Sequence, residues 1–173
     1  VFLNRIRNQH PGVITSRSEI FLPVVVHVVT RPGVAVISYA QVIHQIDVLN
    51  KDFAGRGENI PKLAEEFEHL AADTDIRFCL ASIDPNGNPT NGITYTMTDV
   101  SNIALQTEDQ GRISVHYDQY GGKSFWNTDR YINIWVAEYG TGILGSSSMP
   151  GSAPFPEEEG IVMDLEHFGS IGT

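Results

Sequence analysis

The chain has 173 residues, 41% of them hydrophobic and 18% charged, with a formal net charge of −10. That is enough apolar material for one buried core, and the balance is not that of a disordered chain. The acidic surplus and the lack of any Lys/Arg cluster speak against a nucleic-acid partner, and no apolar run approaches the ~20 residues of a membrane helix.

In chain order, residues 1–20 are polar, with Arg5, Arg7, Arg17 and a Pro11-Gly12 turn signal, and read as an arm or the tail of a pro-segment. The sequence opens on Val1 without a signal-peptide pattern, which is read as a processed or engineered start. Leu22 to Thr30 is β-branched and apolar on both faces, the pattern of a strand buried on both sides. Ser38 is placed to cap a helix whose stripe is Tyr39, Val42, Ile46, Leu49 and Phe53, with His44 on the exposed side. Gly55 and Gly57 end it, and Pro61 is predicted to open a shorter helix burying Leu63, Phe67 and Leu70. A second strand is predicted over 75–83, then a turn over 84–89 and an extended segment over 92–98. Residues 99–129 read as an irregular polar excursion, functional or loosely held. A third strand is predicted over 131–139 with Trp135 as its largest buried side chain, and short strands over 142–149 and 160–165. The order predicts a mixed α/β (α+β) domain, one twisted sheet of about five strands backed by a long helix.

The chemistry-bearing residues do not assemble into a site on sequence grounds. There is no G-x-S-x-G, P-loop, C-x-x-C or G-x-G-x-x-G. His10, His27, His44, His69, His116 and His167 show no H-x-H or H-x-x-x-H spacing that would put two imidazoles on one metal. His27, inside an apolar strand, is expected to hydrogen-bond within the core. The single cysteine, Cys79, reads as a small buried hydrophobe. Asp84, Asn86 and Asn88 imitate the first ligands of a calcium loop, but Pro89 stands where its Gly is required and Tyr95 where its Glu is. Glu157-Glu158-Glu159 reads as a solvated acidic loop, and strand alternation would send Asp164 and Glu166 to one face beside His167, with no nucleophile to complete a triad.

Several stretches in register nevertheless resemble the pappalysin (ulilysin-like) metzincins, across roughly residues 21–173. They are Leu22 to Val29, Gln45 to Phe53, Leu70 to Ala81, Asp84 to Thr90, Asp129 to Val136, Gly142 to Gly145, Met149 to Gly151, Gly160 to Asp164 and the final Phe168 to Thr173. The resemblance implies the N-terminal subdomain of a secreted zinc metalloendopeptidase, with an arm over 1–20 and the catalytic-domain part over 21–173. In that family H-E-x-x-H-x-x-G-x-x-H supplies the zinc ligands and the general-base Glu, while zinc polarises the attacking water and the scissile carbonyl. That motif is absent from these 173 residues, so the resemblance puts the active-site helix after Thr173. It implies no catalytic or metal residue here, and the chain alone is expected to be inactive. Zinc is the implied cofactor of the full-length protein, with calcium a further candidate ion. The implied substrate-binding residues are Ile143, Leu144, Gly145, Ser146 and Ser147, on the strand beside which a peptide or protein substrate would run. The run Ser146-Ser147-Ser148 departs from the larger Tyr-Ala-Gln type, and Ala137 stands where many members carry a cysteine. Self-association through surface left uncovered is a further expectation. The competing reading is a non-catalytic secreted binding module on the same scaffold.

Overall fold

Residues 18–34, 36–140 and 142–169 are described by the computed structural model of the chain. The sequence features placed at Arg5, Arg7, Pro11, Arg17 and the last four residues lie outside them.

The organising element is β1 (Ile20–Thr30), whose Val24, Val25, Val26, Val28 and Val29 are all fully buried. Strands follow as β2 (Ile76–Leu80), β3 (Ile93–Met97), the short pair β4 (Thr107–Glu108) and β5 (Arg112–Ile113), then β6 (Ile132–Ala137), β7 (Gly145–Ser147) and β8 (Ile161–Asp164). The main sheet has six strands but is five wide. β2 and β3 share one side of β1, β2 along its first half (Ile20↔Ile76 to Val24↔Leu80) and β3 along its second (Val26↔Ile93 to Thr30↔Met97). On the other side β6 pairs with β1 and β8 with β6, all parallel; β7 closes the far edge, antiparallel to β8.

Two layers cover the sheet. On one face Val24, Val26, Val28, Ile134 and Val136 meet Val42 and Ile46 of α1 (Tyr39–Phe53), with Leu165 and Phe168 completing the core. The predicted cap is present as a capping box. Ser38 Oγ accepts from the Gln41 N–H at 3.2 Å and Gln41 Oε1 from the Ser38 N–H at 2.9 Å, satisfying two donors that a helix start leaves unpaired. On the opposite face Val29, Trp135, Ala137 and Val162 pack against Ile103, Ala104 and Val115.

That second layer corrects the reading of 99–129 as loosely held. The segment is irregular, but it forms a packed lid because the apolar residues within it have no other cover for Trp135. Other expectations also fail. Tyr39 begins the helix and stays exposed, while His44 is half-buried rather than on the open side. The second helix shrinks to a single turn, α2 (Glu65–Glu68), after a 3-10 turn at Ile60–Lys62, and Leu63, Phe67 and Leu70 remain exposed. Its three acidic residues in four positions leave too few apolar contacts to hold a longer helix against the sheet.

The outer edge of β2 is not open. Asn50 of α1 receives the Phe78 N–H on Oδ1 at 2.7 Å and donates Nδ2 to the Phe78 C=O at 2.9 Å. A side-chain amide thus takes the place of a neighbouring strand's peptide group.

Candidate functional site

β7 is the strand at the opposite edge, and all of Gly145–Ser147 is exposed. It is shorter than the predicted 142–149, so Ile143 and Leu144 precede it, Leu144 being 60% exposed. The ladder still extends back one pair, because the Asp164 N–H donates to the Leu144 C=O at 3.0 Å. Antiparallel pairing alternates. Leu144 and Ser146 therefore direct their main-chain groups to β8, and Gly145 and Ser147 direct theirs outward. Gly145 is required by the close approach of β8: a Cβ there would stand 2.7 Å from the Val162 carbonyl oxygen. Of the three serines, Ser146 is tied inward by a hydrogen bond between its hydroxyl and that of Tyr139.

The strand ends above β7 are fixed by charge. Arg31, just after β1, holds Glu138, just after β6, in a two-pronged pair at 2.6 and 2.8 Å, and Arg31 holds the Glu138 carboxyl below its ordinary range. Asp164 ends β8 at a 3-10 turn (Leu165–His167), so Glu166 does not share its face as strand alternation would require. Asp164 is buried and accepts from the Tyr139 N–H, the Glu166 N–H and His167 Nδ1, each at 3.0 Å. Those bonds occupy the carboxylate in building the turn. The suspected acid/base cluster is structural.

His27 behaves as expected of a core histidine. Asn133 Oδ1 lies 3.1 Å from Nε2 and accepts its proton, leaving Nδ1 to accept from the Thr94 hydroxyl at 2.8 Å. Burial drives its pKa down to about 4. His116, whose polar sequence neighbourhood suggests no burial, is only 2% exposed and stands edge-on to Trp135 with ring centres 4.3 Å apart. Burial, with the charge of a protonated His27 next, pushes it down to about 3. Glu158 overturns the solvated-loop reading of 157–159. It is 8% exposed, and its Oε1 accepts from the Ile113 N–H at 2.9 Å and the Tyr117 hydroxyl at 3.1 Å. Cys79 is half-buried rather than buried, and burial raises its thiol pKa, consistent with an unreactive role.

The calcium-like loop is a closed turn. Asp84 Oδ1 accepts from the Asn86 and Asn88 N–H groups at 2.9 and 2.8 Å, and Oδ2 from Asn88 Nδ2 at 3.3 Å, so its oxygens are used internally. Among the described residues no three His, Cys, Asp or Glu side chains gather as metal ligands, and none of the helices among them is long and apolar enough to cross a membrane.

No protein-family model matches the chain, and no curated protein does. Solved structures do. Mature mirolysin of Tannerella forsythia in complex with a cleaved peptide is 41% identical over 90% of this chain and 56% of its own, with a TM-score of 0.80. The chain belongs to the pappalysin family of metzincins. A promirolysin point mutant of Tannerella forsythia matches 90% of this chain and 49% of its own at 41% identity and TM-score 0.80. Mirolysin in complex with a compound gives 41%, with coverages of 90% and 56% and a TM-score of 0.79. These pappalysin relatives are metalloproteases, and the present chain spans about half the length of each. The mostly parallel sheet with an antiparallel edge strand is the metzincin N-terminal subdomain fold expected from the sequence.

Proposed function

We propose that this chain forms the upper wall of the cleft in a secreted zinc metalloendopeptidase, and that β7 is the rail along which the substrate lies. The observation that carries the reading is the open edge of β7. The outward N–H and C=O groups of Gly145 and Ser147 repeat at strand spacing and are not taken up by β8. Such an edge accepts an extended peptide of almost any sequence through main-chain bonds. A relative solved with a cleaved peptide supports it. Ile143 and Leu144 would supply apolar contact at the entrance to the rail, and Ser146 would hold it to Tyr139 from behind.

This reading places no zinc ligand among the described residues. His27 has both nitrogens engaged in the core, and His167 is bound to Asp164. Zinc would be held by the family's motif outside these 173 residues, where it supplies an activated water and polarises the carbonyl. This chain's contribution is alignment of the substrate. The arm over 1–20 belongs to the same proposal as the end of a pro-segment, with a maturation cut near Ser16-Arg17-Ser18.

Replacing Ser147 by proline in the intact protease tests the rail, since it deletes one outward N–H while leaving the β8 pairs in place. A lost main-chain bond of about 1–1.5 kcal/mol predicts a roughly tenfold lower kcat/KM with unchanged zinc content. Full activity in the variant removes β7 from the binding site. An intact protein that binds peptides without cutting them favours the non-catalytic module.

A further inference from the structure

Every residue from Pro61 to Ala72 is exposed, Leu63, Phe67 and Leu70 by 36, 57 and 64%. The stretch is nonetheless held to the domain. The Leu63, Phe67 and Leu70 N–H groups close successive turns onto Ile60, Ala64 and Phe67, and the Thr74 N–H ties the end of the stretch to the Phe53 C=O of α1 at 2.9 Å. Between the three apolar side chains stand Glu65, Glu66 and Glu68, none of which forms an ion pair among the described residues. Large apolar side chains left in water and rimmed by charge of one sign mark a docking surface.

We propose that residues 1–17 of this same chain dock on that surface. Arg5, Arg7 and Arg17 are three of the chain's 11 Lys and Arg residues, and none of its 21 acids falls in that stretch, so a basic arm leads into a chain of net charge −10. The arm carries the same two kinds of residue as its seat with the charge reversed, Phe2, Leu3 and Ile6 standing beside Arg5 and Arg7. Attachment brings the two together. The Ile20 N–H bonds to the Asp75 C=O at 2.7 Å, and at most about 18 Å of chain separates Asp75 from Leu70, well inside the reach of an extended arm. Tethering then gives the arm a local concentration that no free partner has. The acid nearest the exit is already taken, Asp73 by Arg77 at 2.7 Å, which leaves the three glutamates for the arginines of the arm. The same face of a second copy would set glutamates against glutamates. The docking requires neither the peptide rail nor the maturation cut, so it is tested separately from both.

The test is chymotrypsin digestion of the 173-residue chain, with the rates of cutting after Phe67 and Leu70 followed by mass spectrometry. Arg5→Glu with Arg7→Glu, changes far along the chain from the cut sites, should raise both rates at least about fivefold. That is the equivalent of about 1 kcal/mol, or two exposed ion pairs. Glu65→Lys, Glu66→Lys and Glu68→Lys together should do the same, and combining the two sets should return the rates to within about twofold of the unmodified chain. Such a rescue separates docking from a weakened α2, which a change in the arm could not repair. Rates unchanged by the arginine variants overturn the proposal, as does failure of the combined variant to regain protection. Protection that grows with chain concentration overturns it too, because the arm would then be seated on a second copy.

Discussion

Lowering the pH from about 7.5 to about 4.5 should destabilise the fold chiefly through two histidines. His27 and His116 titrate at about 4 and about 3 in the folded chain, against 6.5 for an unperturbed imidazole. Between those values the unfolded chain binds protons that the folded chain refuses. The stability attached to neutral imidazoles is therefore complete above pH 6.5 and falls as the pH drops toward 4 for His27 and toward 3 for His116. At about 1.36 kcal/mol per unit, two units of descent remove roughly 3 kcal/mol for each histidine, against a total of about 5–15 kcal/mol for an ordinary domain. Carboxylates act in a lower window. Asp73, held down to about 2 mainly by Arg77, and Glu138, held down mainly by Arg31, lose their contributions only below their unfolded values near 4. Urea midpoints of the chain at several pH values, alongside His116→Phe, check this. The phenylalanine keeps a ring against Trp135 and removes one titrating group, so its stability should fall about half as steeply between pH 6.5 and 4.5. A flat profile for the unmodified chain, or identical slopes for the two proteins, refutes the reasoning.

Asn50→Ala removes both bonds to Phe78 and should lower stability by about 1–3 kcal/mol; it should also expose a second sheet edge, seen as concentration-dependent association by sedimentation, whereas an unchanged monomer of unchanged stability contradicts the plug. Gly160→Ala would set a Cβ 2.5 Å from the Asn133 carbonyl oxygen and 2.7 Å from the Trp135 ring at a φ of +152°, so a loss of about 1–3 kcal/mol is expected in denaturant, and a neutral result would mean that β8 shifts freely. The 173-residue chain by itself should neither hydrolyse peptides nor retain zinc; one zinc per chain after dialysis, or chelator-sensitive peptidase activity, goes against that.

Local regularities in the sequence carried the framework. The β-branched run at Val24–Val29, interrupted only by His27, and the three- and four-residue spacing ending at Phe53 depend on neighbours a few positions away, and both elements formed where their patterns put them. Trp135 was legible as a core residue because no turn chemistry surrounds it. The failures share a different cause. Glu158 is buried by Ile113 and Tyr117, His116 by Trp135, and neither relation leaves a trace in spacing. Phe67 and Leu70 had helical spacing but no surface opposite them, so the pattern alone overstated that helix. The edge strand was placed within a few residues, while the reason for Gly145 required knowing how near Val162 stands.

The position of β1 has a consequence for how the chain is made. Its two flanks are supplied at very different times: β2 and β3 on one side by residue 97, β6 on the other only when residues 132–137 have been synthesised. At roughly 5–20 residues per second, the valine-rich strand leaves the ribosome on the order of 5–20 s before its second partner. Until residue 97 both edges of β1 are not yet fully paired, and from then until β6 arrives one edge stays bare. A stall between residues 97 and 132 would prolong that state and give neighbouring nascent chains a template for exchanging strands.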